Sequence, residues 1–326
     1  MKSQKPILSI VGLMLVVSLG CTTPLAGTPT PLPVTPPTAT PVLLTATPLP
    51  ASPTPLPPSA TLVSPTSPPP SATITPTSVT PSTLSGPYGV VSVLPGDVLN
   101  IRAAPGADKA VVGAFPPTIT NVMRTGPTTM VGDKLWLQVQ NPGGGIGWVN
   151  AEYLTEYAPP STFCGDARVQ KLITNLKTAL TTSNGDLLST LVSPAHGVNV
   201  HLWRYGTVVN YDGEHAKWLF TSTYQVNWGP APGSGLDTIG AFREAVLPKL
   251  LEVVNADYEL HCNDVGVAAP FAFEPWPPEY ANVNFYNVYK PGTPGLDLDW
   301  LIWLAGIEYV GGKPYLFALI HFQWEP

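Results

Sequence analysis

Hydrophobic positions change their spacing four times along the chain. Lys2 and Lys5 precede an apolar run from Ile7 to Leu19 interrupted only by Ser and Gly. This is the layout of a secretory signal, and the run is too short to span a bilayer comfortably. Residues 22–86 carry neither a helical nor a strand period. From Pro87, short β-branched runs alternate with Gly, Pro, Asn and Asp, the rhythm of a small all-β unit. The expected strands are Val90–Leu94, Leu99–Arg102, Val111–Phe115, Ile119–Arg124, Leu135–Gln140 and Gly147–Asn150. Strict alternation in Leu99-Asn100-Ile101-Arg102 turns Leu99 and Ile101 to the core, and Pro105-Gly106 sets a turn. Trp136, read as preceding a strand, and Trp148, within one, are expected to cover an end of the barrel. Gly143-Gly144-Gly145 reads as a hairpin loop, since no helix follows to make it a phosphate cradle.

Beyond residue 162 the period becomes helical. Val169, Leu172, Ile173, Leu176 and Leu180 recur on one face after Gly165-Asp166, and Asn184-Gly185-Asp186 ends that helix and caps a short one over Leu187–Leu191. Val198–Trp203 and Thr207–Tyr211 flank Arg204-Tyr205-Gly206 as a hairpin, with a helical turn in Asp212–Phe220 and a strand in Thr221–Trp228. Asp237 reads as the N-cap of a helix carrying Ile239, Phe242, Val246, Leu250 and Val253, kinked at Pro248. The rest reads as sheet: Tyr258–Cys262, Val283–Tyr289, Trp300–Val310, a turn at Gly311-Gly312, and Tyr315–Trp324. Helices followed by antiparallel strands make an α+β layer fold.

Composition sharpens these divisions. Of 326 residues 41 are proline and only 11% are charged, so a large part of the chain cannot be packed. That part is residues 22–86, with 19 proline, 17 threonine and 8 serine and neither charge nor aromatic ring. Nothing there offsets the entropy of ordering, so it is expected to be a disordered, partly polyproline tether with a reach on the order of 200 Å. The chain is therefore multidomain: a signal (1–20), a Pro/Thr linker (21–86), a small β-barrel (87–157) and an α+β domain (163–326). The net charge of −6, without a basic cluster, excludes a nucleic-acid partner.

Three resemblances add to this reading. Val17-Ser18-Leu19-Gly20-Cys21 resembles the lipobox of bacterial lipoproteins, which implies lipidation at Cys21, a membrane anchor and an extracytoplasmic location. Leu99-Asn100-Ile101-Arg102-Ala103-Ala104-Pro105-Gly106, Val112-Gly113, Trp136-Leu137-Gln138-Val139, Gly147-Trp148-Val149 and Tyr153-Leu154 resemble the bacterial SH3 domain pattern in order and spacing. That resemblance implies a module for peptidoglycan or peptide, with Arg102, Trp136 and Trp148 as candidate ligand contacts. The helix-helix-hairpin start of the last domain is similar to the nuclear-transport-factor-2-like α+β fold, used here for architecture alone.

Chemistry is harder to place. Cys164 and Cys262 with His196, His201, His215, His261 or His321 would furnish a thiol hydrolase, but Phe163-Cys164-Gly165-Asp166 lacks the local signature of wall peptidases. Two cysteines in an exported domain are expected to form a disulfide. His196 and His201, with Asp212, Glu214 and His215, have no metal-ligand spacing, and Asp297 with Asp299, read as sharing a strand face, reads as a solvated loop edge. No cofactor, metal or catalytic residue is assigned. The unusual feature is the aromatic load, above all Trp276 and Tyr280 in a proline-stiffened segment where a tryptophan could stay exposed to stack on a sugar or peptide. The expectation is a non-enzymatic lipoprotein. A wall or glycan hydrolase and a self-associating structural protein are the alternatives.

Overall fold

The computed structural model describes residues 87–203, 205–266, 275–296 and 298–325. The signal and linker expected over 1–86, with Cys21, lie outside the described residues, as do Arg204 and Asp297.

The first part is a barrel built from β1 (Tyr88–Val90), β2 (Leu99–Arg102), β3 (Val111–Phe115), β4 (Arg124–Val131), β5 (Lys134–Gln140), β6 (Ile146–Asn150) and β7 (Leu154–Glu156). Strands β2 to β6 form an antiparallel sheet in the order β3-β2-β6-β5-β4. The period-2 alternation sends Leu99, Ile101, Leu137, Val139 and Val149 inward, where they meet Val90, Phe115, Val122 and Leu154. Two expectations change here. The strand expected over Ile119–Arg124 is reduced to a single bridge between Val122 and Tyr88. The threonine-rich stretch Thr125–Asp133, read as a loop, is mostly strand β4. It hides from a periodicity reading because almost every residue in it is exposed, so no apolar face marks it.

The second part contains α1 (Pro160–Cys164), α2 (Ala167–Thr181), α3 (Gly185–Leu191), β8 (Val198–His201), β9 (Val208–Tyr211), α4 (Gly213–Ala216), β10 (Val226–Pro230), β11 (Asp237–Gly240), α5 (Phe242–Ala245), α6 (Leu247–Val254), β12 (Glu259–Cys262), β13 (Asn284–Lys290), β14 (Leu301–Val310) and β15 (Lys313–Gln323). The caps are those the sequence encodes: Asp166 accepts the Arg168 N–H at the start of α2, and Asn184 accepts that of Leu187 in α3. The helix expected from Asp237 is not formed there. Asp237–Gly240 pairs with β10 instead, and Ile239 is exposed, so its helical phase is coincidental. Pro248, which lacks an N–H, sits in the first turn of a new helix, α6, so the segment breaks into α5 and α6.

Strands run β12-β13-β14-β15-β8-β9. All neighbours are antiparallel except β15 and β8, which are parallel. One face carries Trp303, Ala305, Ile307 and Leu316 against Leu172 and Leu176 of α2, Leu188 of α3 and Leu250 of α6. The other carries Ile302, Leu304, Phe317 and Ile320 beneath Tyr280 and Val283. A bulge between Gly306 and Ile307 leaves Phe317 as the extra residue, fully buried. Cys164, ending α1, is bonded to Cys262 in β12, with Cα atoms 5.8 Å apart and the two residues 98 positions apart in sequence. This disulfide closes a long loop and fixes the helical layer to the sheet margin.

The two parts share one sheet. Strand β7 pairs on one side with β1 and on the other with β14, where Glu156 faces Tyr309, giving eight strands in all. The Glu156 carboxylate accepts the N–H groups of Gly311 (2.8 Å) and Gly312 (2.7 Å) at the β14–β15 turn. The buried Asn282 amide donates to the carbonyl oxygens of Val90 (2.7 Å), Pro117 (3.0 Å) and Ile119 (3.0 Å) of the barrel. Replacing Asn282 removes the donor of the buried bond to Val90 and of the part-buried bond to Pro117, while the Ile119 carbonyl keeps the Val90 N–H, which costs about 1–3 kcal/mol. Asn282→Ala is therefore expected to lower the denaturant midpoint by that free energy with an unchanged m-value. An unaltered midpoint would show that the Asn282 bonds contribute nothing.

Candidate binding groove

A groove of about 430 Å³ lies on the outside of the barrel, between the segment after β1 and the outer face of β5 and β6. Leu94-Pro95-Gly96-Asp97 shapes its rim. The Asp97 N–H returns to the Leu94 carbonyl (3.1 Å), with Pro95 and then Gly96 at the corner, and Gly96 takes φ +87°, a conformation that favours glycine. Leu94 and Val98 are exposed on this rim, an apolar edge that the barrel core does not use.

The opposite wall follows from strand register. Leu137 and Val149 point inward as a cross-strand pair, so Trp136, opposite Asn150, belongs to the outer face. Trp136 lies within β5, and it lines the groove with Asn150, Tyr153 and Arg102. Alternation puts both tryptophans on the outer face of the sheet, where Trp136 is buried, as a packing role requires, and Trp148 is half-buried. Trp148 pairs with Gln138 and Arg102 and is only half-buried, but it does not line the groove. Arg102 Nη1 donates to the Lys109 carbonyl (2.6 Å), which holds the guanidinium in place along the groove. Trp136 is only 5% exposed, so the surface open to a ligand is that of the Tyr153 phenol, the apolar rim, Arg102 and Asn150, which suits amide or sugar edges beside a small apolar face. Asn150 and Tyr153 were not singled out as ligand contacts from the sequence. Tyr153 belongs to the quoted motif, so its position was visible while its role was not.

Trp276 and Tyr280 are not exposed ligand contacts. Trp276 stacks on Phe285 (4.5 Å between centroids) and donates to the Tyr280 carbonyl (2.9 Å). It lies so close to Gly306 that a Cβ there would be 2.6 Å from the indole. Tyr280 is buried, burial raises its pKa, and its ring is edge-on to Phe317. The prolines hold this segment down as the cover of the second core. Asp299 lies before β14 rather than on a strand, and its carboxylate accepts the Thr293 N–H and hydroxyl (both 2.6 Å).

The histidines are dispersed. His215 and His261 are surface partners of Asp212 (2.8 Å) and Glu259 (2.9 Å). Burial lowers His201 to about 4 and His321 to about 3. His196 stands in the turn before β8. Its Nδ1 is 2.8 Å from both Glu308 oxygens, and Nε2 is 3.1 Å from the Glu152 carbonyl of the barrel. Thr155 of β7 donates to the same Glu308 carboxylate (2.9 Å). This cluster spans the junction and joins residues 112 positions apart, a proximity no local pattern reveals. Among the described residues no three or more His, Cys, Asp or Glu side chains are grouped to hold a metal, and no helix is long and apolar enough to cross a membrane.

With this geometry in place, the comparison with known families is specific for one part of the chain. Residues 97–155 match the bacterial SH3 domain family and form a bacterial SH3 domain. Such domains commonly bind peptidoglycan or peptides. No curated protein and no solved structure matches the chain.

Both ring nitrogens of His196 face acceptors, so the geometry favours the doubly protonated ring. Burial opposes that charge, but the Glu308 hydrogen bond and field, with the Glu152 carbonyl behind, more than offset it and hold the pKa above the ordinary value. Lys134, which lines the same cavity as His196, is itself paired with Glu152 (2.9 Å). A histidine raised on folding adds stability that is complete below its unfolded pKa of about 6.5 and is lost as pH rises through the folded value. The stability difference between wild type and His196→Gln should thus be largest below about pH 6.5 and shrink at higher pH. His201 and His321 impose the opposite slope on both proteins and cancel in the difference. A difference independent of pH would contradict the charged junction.

Proposed function

We propose that this is an exported, lipid-anchored protein of the cell envelope that binds peptidoglycan, or a peptide derived from it, without turning it over. The groove carries this reading: Trp136, Tyr153 and Arg102 converge with an apolar rim on the outer face of a bacterial SH3 domain. The lipobox resemblance at Cys21 supports the anchor, and the uncharged Pro/Thr stretch supports a tether that carries the folded part away from the membrane. The non-catalytic reading is supported by the use of both domain thiols, Cys164 and Cys262, in the disulfide, which removes them as nucleophiles.

Two measurements test the proposal. The full chain should be retained on purified peptidoglycan, and Arg102→Ala or Trp136→Phe should weaken retention by roughly tenfold, the equivalent of one to two lost contacts. Absence of retention would refute the wall-binding reading, and muropeptides released during incubation would refute the non-catalytic one. Separately, Cys21→Ser should move the protein from the membrane fraction to the soluble fraction, and unchanged fractionation would refute the lipid anchor.

A further inference from the structure

We infer that the SH3 groove is the first half of a composite site, and that the C-terminal domain forms a second half that takes the continuation of an extended peptide. This rests on the peptide-binding reading above and assigns a role to the domain that no family match covers. A cavity of about 640 Å³ opens beside the groove and shares Ser92, Asn150 and Tyr153 with it, which makes the two hollows neighbours across those three residues. Its far wall is the C-terminal domain, where Asn199 and Asn210 face each other across the β8–β9 ladder.

Those two side chains are held in a defined orientation. Asn210 Nδ2 donates to Asn199 Oδ1 (2.9 Å) and to the His196 carbonyl (2.8 Å). What remains is the Asn199 amide N–H and the Asn210 carbonyl oxygen, one donor and one acceptor without a partner among the described residues. A peptide unit presents the complementary acceptor and donor, and it is read here without any demand on side-chain identity. The cavity walls set Asp133, Glu152 and Asp212 against the one lysine, Lys134, a net negative lining that repels a polyanion and suits neutral peptide units better. The wall is rigid because His196, which anchors Asn210, is itself clamped by Glu308, so little ordering entropy is lost on binding.

The test is calorimetric titration of the full chain with muropeptides sorted by the length of their peptide, from dipeptide to cross-linked dimer. Wild type should bind the longest roughly tenfold more tightly than the shortest, as expected for two further neutral hydrogen bonds. Asn199→Asp keeps the acceptor for Asn210 but removes the open donor, so it should collapse that length dependence, and Asn199→Ala should do the same. Affinity independent of peptide length, or a length dependence intact in both variants, would overturn the composite site while leaving the groove reading in place. Failure of wild type to bind any muropeptide would overturn both.

Discussion

Strand β7 is the constraint on which the arrangement depends. Three residues, Leu154–Glu156, close the barrel against β1 and at the same time extend the sheet of the C-terminal domain at β14. Leu154 is in the barrel core, Thr155 is buried on the Glu308 carboxylate, and Glu156 ties the β14–β15 turn through two short hydrogen bonds. Strand β7 is paired along one edge with β1 and joined at Glu156 to Tyr309 of β14 on the other, which ties the barrel to the sheet beside the groove and the neighbouring cavity. The polar groups at this junction are buried and costly to leave unpaired, which makes the pairing a matter of geometry as well as of area.

Much of the fold was legible because its determinants are local. The strands Leu99–Arg102 and Val111–Phe115 fall where alternation places them, α2 follows its apolar period, and Asp166 and Asn184 cap as their side chains dictate. The disulfide was legible from chemistry, since two cysteines in a domain read as exported have few other uses. The failures share a cause. Strand β4 has no buried face, and β11 holds an exposed Ile239 in a helical phase, so hydrophobic spacing was silent in one place and misleading in the other.

The site was legible by half. Arg102 and the nearly buried Trp136 line the groove, whereas Trp148 lies off it, Tyr280 is core and Trp276 packs partly buried against that core. For the last pair, exposure could not be inferred from proline content, because stiff segments cover cores as well as they present side chains. What sequence could not show at all was the meeting of His196 with Glu308 and Glu152, or of Asn199 with Asn150 and Tyr153 around one cavity. Those neighbours are produced by the long β14–β15 hairpin and the parallel return of β8, both tertiary facts.

The central claim is that the bacterial SH3 domain and the C-terminal domain behave as one cooperative body because they share a sheet. Scanning calorimetry of the full chain tests it directly. A single transition whose calorimetric and van't Hoff enthalpies agree is the predicted result. Two resolved transitions, one of them of the size of a small barrel melting on its own, would contradict it.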